Sequence, residues 1–286
     1  MKYLQLKAGA LSLVAFLVFL LVWHIATLPV KSSNVSGPSL TAEQIEYQKM
    51  MGKEVGTVKT SGFPTPGQML DTFSEQLADP FYDNGPNDKG IAIQLGHSLV
   101  RVALGFGLAC AVAIPFGFVI GMSPLLYKTC DPFIQILKPI SPLAWMPLAL
   151  YTIKDSSISG VFVIFICSVW PMLLNTAFGV STVKREWLNV AKTLEVSPLR
   201  KAFLVILPAA APTIVTGMRI SMGIAWLVIV AAEMLVGGTG IGYFVWNEWN
   251  NLSLTHVIFA IVVIGTVGML LDLLFARFQK WVTYVE

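Results

Sequence analysis

Long uncharged stretches separated by short polar segments dominate the hydrophobic pattern of the chain. A hydrocarbon core about 30 Å thick requires roughly 20 apolar residues per helix, so stretches of this length predict membrane-spanning helices. The third stretch contains Pro139, Pro142 and Pro147, which would kink or break a helix unless neighbouring helices satisfy the freed carbonyl groups. Six spans are predicted, at residues 8–28, 91–121, 132–153, 156–183, 208–236 and 256–279.

Only the segment between the first two spans has the polarity of a soluble protein. The sequence therefore predicts three parts: an N-terminal span (1–29), an external segment (30–90) and a five-span core (91–286). Within the external segment, 40–51 is predicted as an amphipathic helix on the membrane surface. Residues 65–78 predict a second short helix, with Pro66 just inside its start.

Lysine and arginine residues favour one side of the six-span arrangement. The positive-inside rule assigns that side to the cytoplasm and predicts that both termini lie there. The cations on this side are Lys2, Lys7, Lys128, Lys184, Arg185, Lys192, Arg200, Lys201, Arg277 and Lys280.

Composition narrows the class of protein further. Only 12% of the residues are charged and 55% are hydrophobic, whereas soluble domains average about 25% charged residues. This deficit excludes an ordinary soluble enzyme, and the net charge of +3 is too small to indicate a nucleic-acid partner. The sequence predicts an all-α integral membrane protein.

Catalytic and cofactor motifs are missing from the sequence. It has no phosphate-binding GxxxxGK[ST] loop, no zinc-binding HExxH and no dinucleotide-binding GxGxxG. His24, His97 and His256 are far apart, and the three cysteines lack metal-ligand spacing. We therefore expect a chain that is not an enzyme and binds no metal or cofactor.

The segment between the fourth and fifth spans has a pattern typical of a docking element. Residues 185–194 predict a short amphipathic helix with Trp187, Val190, Ala191 and Leu194 on one face. Ser197 is predicted to cap a second helix that begins at Pro198. Such an apolar face either lies on lipid headgroups or docks into another protein.

The same segment resembles the cytoplasmic loop of permease subunits of binding-protein-dependent ABC importers. That loop reads Glu-Ala-Ala, three residues, Gly, nine residues, then Ile-x-Leu-Pro. Here Asn189, Val190 and Ala191 occupy the first three positions, Glu195 replaces the glycine, and Leu207 and Pro208 close the pattern.

Residues 91–286 resemble the nitrate, sulfonate and bicarbonate branch of these permeases, and most closely its nitrate permeases. The motifs that carry this resemblance are Ser98-Leu-Val-Arg101, Gly217-Met-Arg-Ile220 and Gly237–Asn250. The resemblance implies the type I importer permease fold with coupling helices between helices 4 and 5. It also implies a bacterial inner-membrane location, two cytoplasmic ATPase subunits that bind ATP and Mg, and a periplasmic, membrane-anchored solute-binding protein. The second permease subunit would be a copy of this chain or a different chain.

The resemblance leaves the transported anion open among nitrate with nitrite, bicarbonate, and alkanesulfonates such as taurine. A stand-alone channel, a secondary anion carrier and a membrane enzyme remain as alternatives. A carrier needs no docking helix, and no nucleophile, base or metal constellation supports an enzyme.

Arg101, Arg219, Glu233 and Asp272 are charged side chains inside predicted spans, where each needs a partner or a cavity. Arg219 and Glu233 lie 14 residues apart on one helix, about 21 Å at 1.5 Å per residue, so they cannot pair with each other. We interpret Glu233 and Asp272 as structural charges. Arg219 is either structural or part of an anion path, to which His97, Ser98 and Arg101 also belong as candidates. The glycines between Gly237 and Gly242 permit a re-entrant turn or a plain flexible loop.

Overall fold

The computed structural model describes residues 2–27, 63–85 and 88–283. An isolated antiparallel bridge joins Asp83 to Lys89. The amphipathic helix predicted at 40–51 lies outside the described residues. Ten helices form in the described part: α1 (Lys2–Ala26), α2 (Pro66–Ala78), α3 (Ile91–Met122), α4 (Pro124–Leu137), α5 (Pro142–Ile153), α6 (Ser156–Ser181), α7 (Arg185–Thr193), α8 (Pro198–Val236), α9 (Ile241–Asn250) and α10 (Leu254–Val282).

Five of these helices, α1, α3, α6, α8 and α10, are long and apolar enough to cross a membrane. The third span predicted at 132–153 forms as a bent pair: α4 and α5 are long and apolar enough to cross a membrane only when taken together, and they are bent by 90° at the break between them. Pro139 and Pro142 at the break lack backbone N–H groups, which removes helical hydrogen bonds. Ser141 then caps α5, its hydroxyl accepting the Leu143 N–H at 3.3 Å. Pro147, by contrast, is accommodated inside α5.

The fifth span begins earlier than the sequence predicts. Helix α8 starts at Pro198 instead of Pro208, and it passes through one wider π-helical turn at Ala202–Ile206. A proline inside a helix leaves a carbonyl one turn earlier without its usual donor. The π turn ends two residues before Pro208, where the chain accommodates this loss without ending the helix.

The chain forms two compact units, Met1–Ala78 with Ser253–Phe259, and Asp79–Leu252 with Ala260–Glu286. Within the first unit, the Trp23 indole donates to the Pro64 carbonyl at 3.0 Å. Phe73 meets Phe259 edge-on, with ring centroids 4.8 Å apart. The predicted three-part division of the chain remains a prediction.

Hydrogen bonds define the direction of the helices in the second unit. Arg101 near the start of α3 contacts Ser157 at the start of α6 and Glu233 near the end of α8. We call this the Glu233 end of the helix bundle. Helices α3 and α6 therefore run in the same direction, so the bent α4–α5 pair must carry the chain back from one end of the bundle to the other.

Helix α10 runs antiparallel to α8. Trp226 of α8 donates to the Ile264 carbonyl at 3.0 Å, and Thr216, ten residues earlier on α8, accepts from Gln279 at 2.9 Å. The end of α10 consequently lies toward the start of α8. We call this the α7 end of the bundle, because α7 immediately precedes α8.

Glycines on α3 allow a close approach to α6. A Cβ atom at Gly117 would lie 2.7 Å from the Leu173 carbonyl oxygen, and one at Gly121 would lie 2.8 Å from Val180 Cβ. Small residues four apart let two helix backbones pack closely, which is a common device in membrane proteins. The close contact between α3 and α6 therefore depends on glycine, which has no side chain, at these two positions.

We expect Gly121→Ala to lower the thermal unfolding midpoint of the detergent-solubilised protein. The added methyl group has no space, and overpacking costs about 1–3 kcal/mol. Gly107→Ala is the matched control, because a Cβ at Gly107 on the same helix meets nothing within 4 Å. Equal midpoints for the two variants would show that the α3–α6 approach does not depend on Gly121.

Candidate functional site

A buried carboxylate lies at the centre of a polar cluster at the Glu233 end. Glu233 is 4% exposed, and its carboxylate accepts from three donors on other parts of the chain. Arg101 donates at 2.8 Å, the Ser98 hydroxyl at 2.8 Å and the Gly242 backbone N–H at 3.0 Å. A buried charge is tolerated when it is paired and hydrogen-bonded in this way.

Arg101 connects this carboxylate to two further elements. Its guanidinium donates to the Thr239 carbonyl at 2.6 Å and to the Ser157 hydroxyl at 3.0 Å, and its side chain is 13% exposed. One side chain of α3 thus contacts α6, α8 and the loop before α9. We call the cluster the Arg101 network; it comprises Gln94, Ser98, Arg101, Ser157, Glu233 and the backbone of 239–242.

The network also holds the start of α9. Gln94 Oε1 accepts the Gly240 N–H at 2.6 Å, and the Ser98 hydroxyl oxygen accepts the Ile241 N–H at 2.9 Å. The first N–H groups of a helix have no partner within the helix, and a carboxylate placed there is favoured by the helix dipole. The plain flexible loop considered from the sequence is therefore wrong for this segment, which is held by side chains of α3 and α8.

Gly240 and Gly242 are needed because the backbone at the start of α9 lies against Glu233 and Val230 of α8. A Cβ atom at Gly240 would overlap the Glu233 carboxylate, and one at Gly242 would lie 2.9 Å from Glu233 Cβ and overlap the Val230 carbonyl. Any larger residue at either position would push α9 away from the carboxylate. The glycine-rich sequence thus corresponds to tight packing.

These contacts change the interpretation of the candidate anion residues. The sequence made Ser98 and Arg101 candidates for an anion path, whereas in the structure both side chains bond to Glu233, and Ser98 is fully buried. His97 lies on the same helix with an exposed side chain. The described contacts do not bring His97 into the network.

Arg219 also has a carboxylate partner. Its Nε and Nη2 atoms donate to the two Asp272 oxygens, each at 2.6 Å, joining α8 to α10. The two side chains are 38% and 51% exposed. They border a cavity of about 430 Å³ whose wall includes Gly223, Gly268 and Trp226. The guanidinium is bidentate, the geometry in which arginine binds carboxylates most strongly.

The outward face of α7 differs from the predicted one by a single residue. Val190 and Leu194 are 59% and 70% exposed, and Trp187 is 42% exposed, whereas Ala191 is 4% exposed. The prediction that Ala191 belongs to the docking face is therefore wrong. Ala191 and the half-buried Leu188 are three residues apart and turn inward, Leu188 packing on a core that includes Val180 and Ile206. We call Trp187, Val190 and Leu194 the α7 surface; Asn189 is also exposed.

Helix α7 ends at the position where the importer pattern has glycine. Glu195 has a φ of 51°, in the left-handed region. The Glu195 N–H bonds to the Lys192 carbonyl at 3.1 Å, and the Val196 N–H bonds to the Ala191 carbonyl at 3.1 Å. These two bonds form a Schellman motif. The turn is thus kept without glycine, at the steric cost of a Cβ in a left-handed conformation.

Ser197 and Pro208 fall at less prominent positions. Ser197 precedes the first residue of α8, but its side chain makes no capping hydrogen bond. Ser197 therefore occupies the predicted N-cap position, but the predicted hydrogen bond from its side chain is absent. Pro208 lies within α8, after the π turn.

The three cysteines are free thiols, and no group of three or more potential metal ligands occurs among the described residues.

Comparison with protein families matches residues 113–284 to the binding-protein-dependent transport system inner membrane component family. This chain belongs to that family. A nitrate import permease of Synechocystis sp. is 43% identical over 226 residues, covering 79% of this chain and 82% of the relative. A bicarbonate transport permease of the same organism is 45% identical over 205 residues, covering 71% and 73%. The taurine transport permease of Escherichia coli is 31% identical over 220 residues, covering 77% and 78%.

Solved structures show the same fold. A chain of the methionine ABC transporter in an inward-facing conformation superimposes with a TM-score of 0.61 at 14% identity, covering 68% of this chain and 96% of the other. The chain is thus an all-α membrane protein with the type I ABC importer permease fold, and the resemblance to importer permeases drawn from the sequence is confirmed.

Sequence reasoning missed several residues of the Arg101 network. Gln94 and Ser157 have no local pattern that marks them, because their partners are 146 and 56 residues away. The charge rule pointed to Arg101 and Glu233 by requiring a partner or a cavity for each. It could not pair them across 132 residues.

We expect Glu233→Gln to destabilise the folded protein strongly. The substitution leaves the Arg101 guanidinium without its counter-charge, and breaking a buried pair from one side costs about 3–5 kcal/mol. The thermal unfolding midpoint in detergent measures this loss, and Glu186→Gln on exposed α7 is the control.

A double variant separates charge pairing from simple loss of contacts. Arg101→Met combined with Glu233→Gln removes the unpaired cation, so it should be more stable than Glu233→Gln alone. A double variant that unfolds no later than the single one would contradict the ion-pair assignment.

Proposed function

We propose that this chain is the membrane-spanning subunit of an ATP-driven importer for a small inorganic anion, nitrate together with nitrite. The observation that carries the proposal is the 43% identity to a nitrate import permease over 226 residues. In this proposal the chain has no ATPase activity and no cofactor of its own. ATP and Mg bind to two cytoplasmic ATPase subunits, and a periplasmic, membrane-anchored binding protein delivers the anion.

Bicarbonate is the second candidate substrate. The bicarbonate permease is 45% identical, although over the shorter length of 205 residues. The more distant taurine permease makes an alkanesulfonate a third candidate. These anions differ in size and charge distribution, so the complex should distinguish them.

The direction of the chain in the membrane follows from its cations. In the structure, α7 and the end of α10 lie toward the same end of the bundle. Five cations occur at 184–201, and Arg277 and Lys280 lie near the end of α10. The positive-inside rule supports a cytoplasmic position for this end, with the C-terminus there. Lys2 and Lys7 support the same side for the N-terminus.

The α7 surface is the proposed contact for the ATPase subunits. It presents three apolar side chains to solvent at the end that carries the positive charges, and a soluble partner would remove them from water. Asn189, Glu195 and Ser197 border this surface. Each chain offers one such surface, so two ATPase subunits require two permease subunits. A second copy of this chain supplies it in the simplest assembly.

Substrate-stimulated ATP hydrolysis tests the proposed function. We expect nitrate to stimulate hydrolysis several-fold when this chain is reconstituted in proteoliposomes with its ATPase subunits and binding protein. Bicarbonate and taurine at equal concentration are the comparisons. Stimulation by either of these without stimulation by nitrate would assign a different substrate. Anion flux without ATP would indicate a channel or a secondary carrier.

Glutamate substitutions on two sides of α7 test whether the α7 surface contacts the ATPase subunits. Val190→Glu places a carboxylate where the ATPase subunit would exclude water, and we expect substrate-stimulated hydrolysis to fall about tenfold or more, since an unpaired buried charge costs several kcal/mol. Lys192→Glu introduces the same side chain on the opposite side of α7, where we expect little change. Similar activities for the two variants would contradict the docking assignment. Ala191→Glu is unsuitable, because its charge would be buried inside this chain.

A further inference from the structure

A second cavity, of about 170 Å³, lies beside the break between α4 and α5. Lys138 and Trp145 line it from the two sides of the break, Cys167 and Trp170 line it from α6, and Ile224 lines it from α8. Its wall carries no aspartate or glutamate. None of these side chains belongs to the Arg101 network or to the Arg219–Asp272 pair.

The cavity lies beside the middle of α6. Trp170 is 14 residues from the start of α6 and 11 from its end, which is about 21 Å and about 17 Å at 1.5 Å per residue. A helix of this length matches a hydrocarbon core about 30 Å thick. Lys138 is therefore an ammonium group at the depth of the bilayer interior.

Lys138 differs from the other two cations in the membrane region. Arg101 and Arg219 each have a carboxylate partner, whereas no acidic oxygen in the described residues lies within ion-pair distance of Lys138. Charged side chains inside a membrane are expensive, and they usually pair or face a cavity that serves an ion or a substrate. Lys138 faces such a cavity.

The two tryptophans add donors that nothing in the described chain uses. The indole N–H of Trp226 donates to the Ile264 carbonyl, but the indole N–H groups of Trp145 and Trp170 have no acceptor among the described residues. An indole N–H donates and cannot accept. The cavity therefore combines one ammonium group with two neutral donors and no side-chain carboxylate.

We propose that this cavity is an internal binding station for a small, singly charged oxyanion on its way through the membrane. Lys138 would supply the charge, and Trp145 and Trp170 would supply hydrogen bonds to the oxygens. The volume accommodates an ion of three or four heavy atoms. The inference rests on the proposed function, since it needs an anion to pass through this chain.

Three variants test the charge. In proteoliposomes with ATPase subunits and binding protein, Lys138→Met should lower the rate of nitrate uptake about tenfold or more, because a hydrogen bond to a charged group is lost in an apolar site. Lys138→Arg keeps the charge and should retain most of the uptake. Lys128→Met removes an exposed lysine of α4 that does not line the cavity, and it should transport normally.

A fourth variant tests the donors. Trp170→Phe keeps an aromatic ring and removes the N–H, so we expect the nitrate concentration for half-maximal uptake to rise several-fold at saturating binding protein. Trp249→Phe, at an exposed position of α9, is the control. A role in packing alone would leave this half-maximal concentration unchanged and lower only the amount of folded protein.

The outcomes separate the station from the function. If wild-type complex takes up nitrate and Lys138→Met does so at the same rate and half-maximal concentration, the station is overturned and the function stands. If wild-type complex ignores nitrate and takes up bicarbonate, the nitrate assignment is overturned, and the same variants measured with bicarbonate decide the station. Uptake of taurine alone would overturn both, because taurine is larger than the proposed ion and carries no net charge. Equal losses in Lys138→Met and Lys138→Arg would also overturn the station, because the charge would not be the property that matters.

Discussion

The structure depends on one constraint: a charged group in the membrane region needs either a partner or a cavity. Glu233 satisfies it with Arg101, Ser98 and the N–H of Gly242, all within 3.0 Å. Because lipid supplies no replacement partner, these bonds are more demanding than the same bonds would be at a water-exposed surface. The positions of α3, α6, α8 and the start of α9 are linked through one carboxylate and one guanidinium.

Two ion pairs join different sets of helices in the bundle. The Arg101 network holds α9 against α3 and α8, with Gly240 and Gly242 giving the room for contact. The Arg219–Asp272 pair connects α8 with α10 through side chains that are more exposed than those of the Arg101 network.

Hydropathy and charge predicted the spans, the docking segment and the need for partners, because these properties depend on local sequence. The spacing of the importer loop even located the left-handed residue, Glu195, although glycine is missing. Local sequence failed where three-dimensional packing decides. Ala191 has the same apolar character as Val190 and differs only in facing the core, and Pro147 is tolerated inside α5 while the chain breaks at Pro139 and Pro142. The partner of Glu233 is 132 residues away, so no pattern within a helix could identify it.

Paired and unpaired cations suit different tasks in a transport subunit. An arginine already bound to a carboxylate has little to gain from a passing anion, because the anion would first have to break an ion pair strengthened by the low local dielectric. An ammonium group without a carboxylate partner gains most from the same anion. Non-helical backbone is tolerated at membrane depth only where it is buried in protein or lines a cavity. The break between α4 and α5 and the unpaired Lys138 at that break therefore have one common explanation, a cavity between the helices that Lys138 and two tryptophans line.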